Sequence, residues 1–493
     1  MFKKLIYTAF LGLAMTSCSE DLMDRINTNE ANPPAAIVDA KFQVTSAMVN
    51  YGFSTYCGQY AWWASSFTEQ TFGTGNNQAK NCELRNRQET AGSTTYNNEW
   101  SSAYTELENI RQIIAKTDEG GKNAGQNDIR GIGQTMWVLT YGTLTELHGD
   151  IPYSEALQGA ANLQPKLDSQ ESIYTDLFTR IDDAINCFNT AIANGEKNVG
   201  NQDILFGGDC HKWLAFAYAV KTRMLINKSF RDPAALAQAI TTGQKALDEG
   251  FNGAEFTFFN GVDRDNPWTA YNWSRAYTGA NNTTLDILNE RNDPRADIYA
   301  VDYFGSGIIS APAGDADLAG MTETVGLPIW LDNGAAPLAI MTLNELYFEI
   351  AEAKARQGQD ATAEFQAGIE ASMAQYSRVS GVDIDPAAIS DYIQTIGTPT
   401  LKEIMVQKYI SQAVYEQIQT YNDMRRCMAQ GEEFIHLNNP NNFANGQNQW
   451  PYRFPYGNDD VISNPNVAEA FGTGNDAGNY LFTEHTWLNG GTR

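Results

Sequence analysis

The chain is poor in the residues that most enzymes and metalloproteins put to chemical use. It has 4 His in 493 residues: His148, His211, His436 and His485. None stands in H-E-x-x-H or another zinc spacing, and His148 falls at a helix end, where a capping role is expected. No G-x-S-x-G, Walker A or G-x-G-x-x-G string is present. Neighbouring carboxylates such as Asp182-Asp183 lie on a helical stretch and read as a solvated face. Asp315-Ala-Asp317-Leu-Ala-Gly320 opens like a calcium loop but lacks an acid at its fifth position and Glu at its twelfth, so it reads as a turn. The expectation is a protein with no catalytic group, no metal and no cofactor.

Basic residues are scarce as well. Lys plus Arg number 33 against 59 Asp plus Glu, a formal charge of −26, which argues against nucleic acid, whose phosphates reward basic surfaces. Cysteines number 6. With Cys18 set aside, Cys57, Cys82, Cys187, Cys210 and Cys427 remain, an odd set without a C-x-x-C pair. One or two disulfides or sparse buried thiols both fit. Beyond the N-terminus no apolar run is long enough to cross a bilayer.

The N-terminus reads as an address. Lys3 and Lys4 precede an apolar run, Leu5 to Met15, and Met15-Thr16-Ser17-Cys18 resembles a bacterial lipobox. Residues 1–17 are then a lipoprotein signal peptide, removed in the mature chain, and Cys18 is the lipidated residue that anchors the chain to a membrane. Ser19, Glu20, Asp21 and Asp24 behind it resemble the signal that sends some lipoproteins to the outer face of the outer membrane. The expected location is the outer membrane, surface-exposed.

The body, 18–493, reads as a single, mostly α-helical domain. Helical spacing is expected over Ala40 to Tyr56, about 97–116 and 128–148, about 170–193 and 209–229, and near 233–249. Ile132, Met136, Leu139, Thr143 and Leu147 form one apolar stripe, and Gly149 and Pro152 end its helix. Leu343 to Met373 has tetratricopeptide logic: Ala351 and Ala355 on one helix, Gly358 at the turn, Ala363 and Ala367 on the return. A looser copy spans 221–247. A last helix is expected from Leu401 to Met428. The helical-repeat scaffold lies mainly in 97–250 and 340–428. Residues about 251–340, rich in Gly, Asn, Asp, Pro and aromatics, read as an irregular, loop-rich ligand-binding insertion. Tyr60 to Gln88 reads as a structured surface loop.

Several strings in one order, LTELHGDIPYSEAL at 144–157, LNELYFEIAEAKARQG at 343–358, EIMVQKYISQAVYEQIQTYNDMRR at 403–426 and PYRFPYGNDDVISNPNV at 451–467, resemble the SusD/RagB family of outer-membrane nutrient-binding lipoproteins, in its divergent SusD-like subgroup. The lipobox, INTNEANPP after it and FQAGIEASM at 365–373 agree. Tyr456-Gly457 departs from the Tyr-Pro that the family often shows. The resemblance implies four tetratricopeptide-like helix pairs under a variable, loop-rich half. It implies a partner, a SusC-like TonB-dependent outer-membrane transporter, and a task without bond-breaking: binding an oligosaccharide, or in some members a peptide, and delivering it to that transporter.

Aromatic residues, 11% of the chain, supply the candidate ligand contacts, because a sugar's C–H face stacks on Trp or Tyr while its hydroxyls need polar partners. Residues 263–277 carry Trp268, Tyr271, Trp273 and Tyr277 among Asn266, Asn272 and Arg275. The early segment offers Trp62, Trp63, Phe72, Asn76 and Asn77, and Trp330 stands near the end of the insertion. Trp100, Trp137 and Trp213 are expected in the core. Peptide capture, a surface glycan hydrolase and a purely structural repeat scaffold are the competing readings.

Overall fold

Eight long helices form the spine, each packed on the one before it. They are Asn97–Thr117, Asn127–His148, Gln170–Asn194, Cys210–Lys228, Ala235–Asp248, Leu343–Arg356, Thr362–Ser380 and Leu401–Gln412. The computed structural model describes residues 37–75 and 78–493, so the lipobox with Cys18, and Asn76 and Asn77, lie outside the described residues. Starts and stops follow the sequence. The side chains of Ser169, Asp209, Thr342 and Thr400 accept hydrogen bonds from first-turn amides, and Gly195 and Gly381 end their helices in the left-handed conformation.

Small residues bring the helices together, as the repeat logic requires. Ala351 is buried, but the tightest approaches are at glycines outside the expected set. A Cβ on Gly131 would lie 2.6 Å from the Phe188 ring, one on Gly243 2.6 Å from Ile350, and one on Gly368 2.8 Å from Phe348. Trp100, Trp137 and Trp213 are core residues, as their helical spacing predicts. Among the described residues the cysteines are free and buried, which resolves the disulfide alternative.

Three stretches differ from the sequence reading. Tyr60 to Gln88 is not mainly loop: Gln59–Phe67 is a helix covered on almost every side, and so shows no apolar stripe. Leu401 to Met428 is two helices, Leu401–Gln412 and Gln417–Ala429, broken where Tyr415 takes φ +71°. No Gly or Pro marks that break. It is held from outside, because the Glu416 carboxylate accepts hydrogen bonds from Thr342 N at 2.7 Å and Thr342 Oγ1 at 2.9 Å. The insertion is also less irregular than its composition suggests, with helices Pro267–Arg275 and Asn282–Glu290. Its two ends are pinned together where Ala254–Phe256 pairs antiparallel with Leu338–Met341. Helix Leu343–Arg356 can therefore resume beside Ala235–Asp248 as though the insertion were absent.

Buried charge ties the spine to its last helices. Arg223 donates to both Glu345 oxygens, at 2.6 and 2.5 Å. Glu352 pairs with Arg426 at 2.7 Å, Arg356 at 2.7 Å and Lys408 at 3.1 Å, and Asp423 pairs with Lys408 and Arg426 at 2.8 Å each. Although burial opposes ionisation, the surrounding cations hold the Glu352 carboxyl well below the usual range. Glu349 lies buried nearby with neither carboxylate oxygen partnered. Burial and then the charge on Glu345 raise its carboxyl far above the usual range, so it keeps its proton at neutral pH.

The string HGDIP is a socket for the C-terminal segment. His148 is buried, with Nδ1 3.1 Å from the Phe454 carbonyl and Nε2 3.1 Å from the Tyr60 hydroxyl. It joins segments rather than capping its helix. Burial lowers its pKa to about 3. Phe454 N donates to the Leu147 carbonyl at 2.8 Å, and the Tyr456 hydroxyl donates to the Asp150 carbonyl at 2.9 Å. Gly457 lies against Trp100, whose ring would be 2.4 Å from an added Cβ. The departure from the family pattern at Gly457 thus sits where the tail crosses a core tryptophan.

Candidate functional site

Helix Pro267–Arg275 projects from the insertion, started by Asn266 and Pro267 and stopped by Ala276 at φ +51°. Asn266 is buried and structural. Its Oδ1 caps Trp268 N, while Nδ2 donates to the Ala336 carbonyl at 3.0 Å and to the Tyr415 hydroxyl at 3.1 Å. Trp268, on the inner side, is buried, with its ring edge-on to Trp62 at 6.2 Å and to Tyr415 at 6.1 Å. The helix therefore divides its aromatics, sending Trp268 inward and Trp273 outward.

The early segment joins this helix. Trp62 is half-buried and stacks on Tyr271, ring centroids 3.4 Å apart and planes at 17°. Tyr271 in turn meets Tyr277 edge-on at 5.8 Å. Phe72–Gly73 pairs antiparallel with Thr278–Gly279, and Thr74 Oγ1 donates to the Ala276 carbonyl at 2.7 Å. Phe72 itself is buried among Ala311, Ala319 and Val325. Trp63 is buried edge-on to Tyr96, and Trp330 is buried between Tyr299 and Tyr376.

The accessible rings are Trp273 on the outer side of this helix and Tyr303 in a neighbouring loop. Trp273 is 46% exposed and meets Tyr303, 47% exposed, edge-on at 4.6 Å. Phe304 is edge-on to Tyr303 at 5.5 Å. Sequence reasoning missed Tyr303. The available signal was an aromatic pair, Tyr303-Phe304, set directly before Gly305-Ser306-Gly307 in a loop. Of the residues singled out from sequence, Trp273 and Arg275 are exposed, and Trp62, Tyr271 and Tyr277 are partly so. Trp63, Asn266, Trp268, Asn272 and Trp330 are interior, so these five support the surface without meeting solvent.

Behind the stacked pair, polar atoms are left without partners: the indole Nε1 of Trp62, Trp63 and Trp268, Oδ1 of Asn272 and Oε2 of Glu99. Glu99 begins helix Asn97–Thr117, and burial pushes its carboxyl up to about 8, so it is mostly protonated at neutral pH. Its charged form would act on both Tyr60 and Tyr271.

Two carboxylates that the sequence reading did not single out hold the floor of this half. Glu69, buried at φ +59°, accepts from Thr283 Oγ1 at 2.5 Å and from the amides of Asn438 and Asn439 at 2.8 and 2.9 Å. Glu83 accepts from Ser66 Oγ, Gly73 N and Gly314 N at 2.9, 3.0 and 2.8 Å. Each fastens segments hundreds of residues apart. Asp315 caps Leu318 N and makes the turn expected of it. Among the described residues no cluster of His, Cys, Asp and Glu has the arrangement of a metal site, and no helix is long and apolar enough to cross a membrane.

Comparison with known proteins agrees with this architecture. A SusD/RagB family protein from Bacteroides thetaiotaomicron superposes with a TM-score of 0.82 at 29% identity, covering 92% of this chain and 100% of that one. A chitin-binding SusD homolog from Flavobacterium johnsoniae shares the fold at 17% identity and a TM-score of 0.69, covering 90% of this chain and 98% of its own. Another protein, described as chitin-binding, matches at 21% identity and a TM-score of 0.72, covering 92% and 100%. No curated protein sequence matches the chain. The family model described as "Starch-binding associating with outer membrane" matches residues 16–457, and on that span, with a helical spine and a pinned insertion in agreement, the chain belongs to the SusD-like family.

Proposed function

We propose that this protein is a lipid-anchored, surface-exposed outer-membrane lipoprotein that binds oligosaccharides and hands them to a SusC-like TonB-dependent transporter without cleaving them. The observation that carries the reading is the open aromatic surface of the insertion, where Trp273 and Tyr303 meet edge-on with both rings about half exposed. Exposed Trp and Tyr rings held in fixed relative orientation suit the C–H face of a sugar, and stacking of this kind tolerates many rings. The Trp62–Tyr271 stack fixes the helix that carries Trp273. Family membership supports both the ligand class and the outer-membrane setting, and two relatives of the same fold are described as chitin-binding.

The test is calorimetric titration of the purified protein with starch-derived and chitin-derived oligosaccharides. Binding is expected in the wild type and lost in Trp273→Ala with the melting temperature kept; unchanged affinity in Trp273→Ala and in Tyr303→Ala would overturn the site. Product analysis of the same mixtures over time is expected to find no cleavage. Cys18→Ala is expected to release the protein from membranes into the soluble fraction, and retention of that variant in the membrane would overturn the anchor.

A further inference from the structure

We infer that the cavity between helices Leu401–Gln412 and Gln417–Ala429 is a binding site for a small neutral aromatic molecule that carries an oxygen acceptor. Residues Glu432 to Asn438, which follow the second helix, cross its opening as a strap. Met405, Met424, Cys427, Met428, Phe434 and Ile435 form the walls, and the space they leave amounts to about 440 Å³, its mouth included. None of these residues belongs to the aromatic surface of the insertion, so the site does not rest on the glycan-binding reading above.

The walls suit a flat ring. Three of the chain's 12 methionines meet here. A thioether is unbranched and polarizable, adapts to the outline of its occupant, and gains from contact with the edge of an aromatic ring. Burial pushes the Cys427 thiol up to about 12, so it adds another neutral, soft sulfur. A closed apolar cavity of roughly 150 Å³ already accepts benzene, so one ring with a short substituent matches the space.

The floor is polar and not fully used. Lys408 and Gln412 line it, and both are buried. Lys408 Nζ donates to Glu352 at 3.1 Å and to Asp423 at 2.8 Å, which leaves one of its three hydrogens over. Gln412 Nε2 gives one hydrogen to Asp423 Oδ2 at 3.3 Å and keeps the other, while its Oε1 accepts from Thr420 at 3.0 Å. Two spare donors call for an acceptor on the ligand. That acceptor is uncharged: a carboxylate would meet Asp423 at the floor and Glu432 and Glu433 at the mouth, and an amine would meet the Lys408 ammonium. A carbonyl oxygen fits.

The strap provides the way in. Its ends are fixed, Glu432 by Arg356 at 3.0 and 2.8 Å and Asn438 N by Glu69 at 2.8 Å. Between them the main-chain groups of residues 433–437 make no hydrogen bond to any described residue. Phe434 and Ile435 cover the cavity by apolar contact, so the strap can part from the helices without breaking a main-chain hydrogen bond.

Methyl benzoate, toluene and methyl cyclohexanecarboxylate are the probes, titrated into the purified protein with isotope-labelled methionine methyl groups followed by NMR. Methyl benzoate is expected to shift the signals of Met405, Met424 and Met428 and to leave those of Met136 and Met341, buried outside the cavity, in place. It is expected to bind about tenfold more tightly than toluene, which has the ring without the acceptor, as one hydrogen bond allows. Over methyl cyclohexanecarboxylate, which has the acceptor without the ring, an advantage of about threefold is expected. Gln412→Met is expected to reduce the preference over toluene. Met428→Trp fills the mouth at a side chain that is 38% exposed, so it is expected to abolish binding with the melting temperature kept, and it serves as the test if Gln412→Met does not fold. Unmoved signals at the three methionines, equal binding of either control probe, a preference unchanged in Gln412→Met, or full binding in Met428→Trp would overturn the inference. Saccharide affinity is expected to be unaltered in Met428→Trp, so this site and the glycan surface stand or fall separately.

Discussion

The turn at His148–Pro152 and the helix Pro267–Arg275 draw on similar residues, aromatics beside Asn or Asp with a Pro close by, and end in opposite environments. The turn's own side chains are answered, although Arg453 Nη1 beside Gly149 is not. Both nitrogens of His148 have partners, Gly149 N donates to the Thr145 carbonyl, and the Asp150 carboxylate accepts from Gln170 N. Around the helix, Trp62 Nε1, Trp268 Nε1 and Asn272 Oδ1 lack partners, and Arg275 projects outward with none. An unanswered buried donor or acceptor costs about 1–3 kcal/mol, so a fold retains such groups where something other than stability selects them. The turn is a folding device, and the helix carries the surface proposed above to face a ligand.

The comparison can be broken most severely inside the scaffold. Glu352→Ala would leave Lys408, Arg426 and Arg356 facing one another in the interior. Loss of about 3–5 kcal/mol is expected in denaturant titration, because a buried charge is left without compensation. Trp268→Ala is next. Removing this buried ring is expected to cost about 3–5 kcal/mol as well, and to weaken saccharide binding only through the disturbed helix.

The His148 socket gives a pH test of intermediate size. Its folded pKa of about 3 lies below the unfolded value of about 6.5, so acid favours the unfolded chain. The stabilising difference is full above pH 6.5 and is lost as pH falls toward 3, amounting to about 2 kcal/mol by pH 5. His148→Gln is expected to flatten that part of the stability profile relative to wild type, and parallel profiles would disprove the assignment. The smallest stability effect belongs to the proposed ligand face. Trp273→Ala is expected to stay within about 0.5 kcal/mol of wild type, since the ring is half exposed. A Trp273→Ala loss as large as that of Trp268→Ala would erase the distinction between the two sides of the helix.

Helix after helix was legible because an amphipathic element carries its period in its own residues. Asn97–Thr117, Gln170–Asn194 and Leu343–Arg356 each stand where spacing places them, the latter two with capping residues at their starts. Gln59–Phe67 was hidden because contacts on almost every side remove the apolar stripe that a periodicity argument needs. The break at Tyr415 was hidden for a different reason. Its cause is Thr342, some seventy residues upstream, whose amide and hydroxyl hold Glu416.

At the candidate site, composition drew attention to 263–277 and to the early segment, and the structure stacks Trp62 of one on Tyr271 of the other. It could not divide that cluster. Trp268 and Trp273 are the same residue type five positions apart on one short helix, and only the docking of that helix against Trp62 and Tyr415 turns one inward and one outward. Tyr303 escaped notice because its partner, Trp273, lies thirty positions earlier in the chain.

The sequence by itself determined most of the long helices, the family resemblance and the absence of a recognisable catalytic motif, since these follow from local spacing and ordered strings. Tertiary structure alone decided which aromatics face solvent, which acids keep their protons and which arginine is left free. Those properties depend on what stands on the other side of each side chain, and that neighbour is contributed by distant sequence.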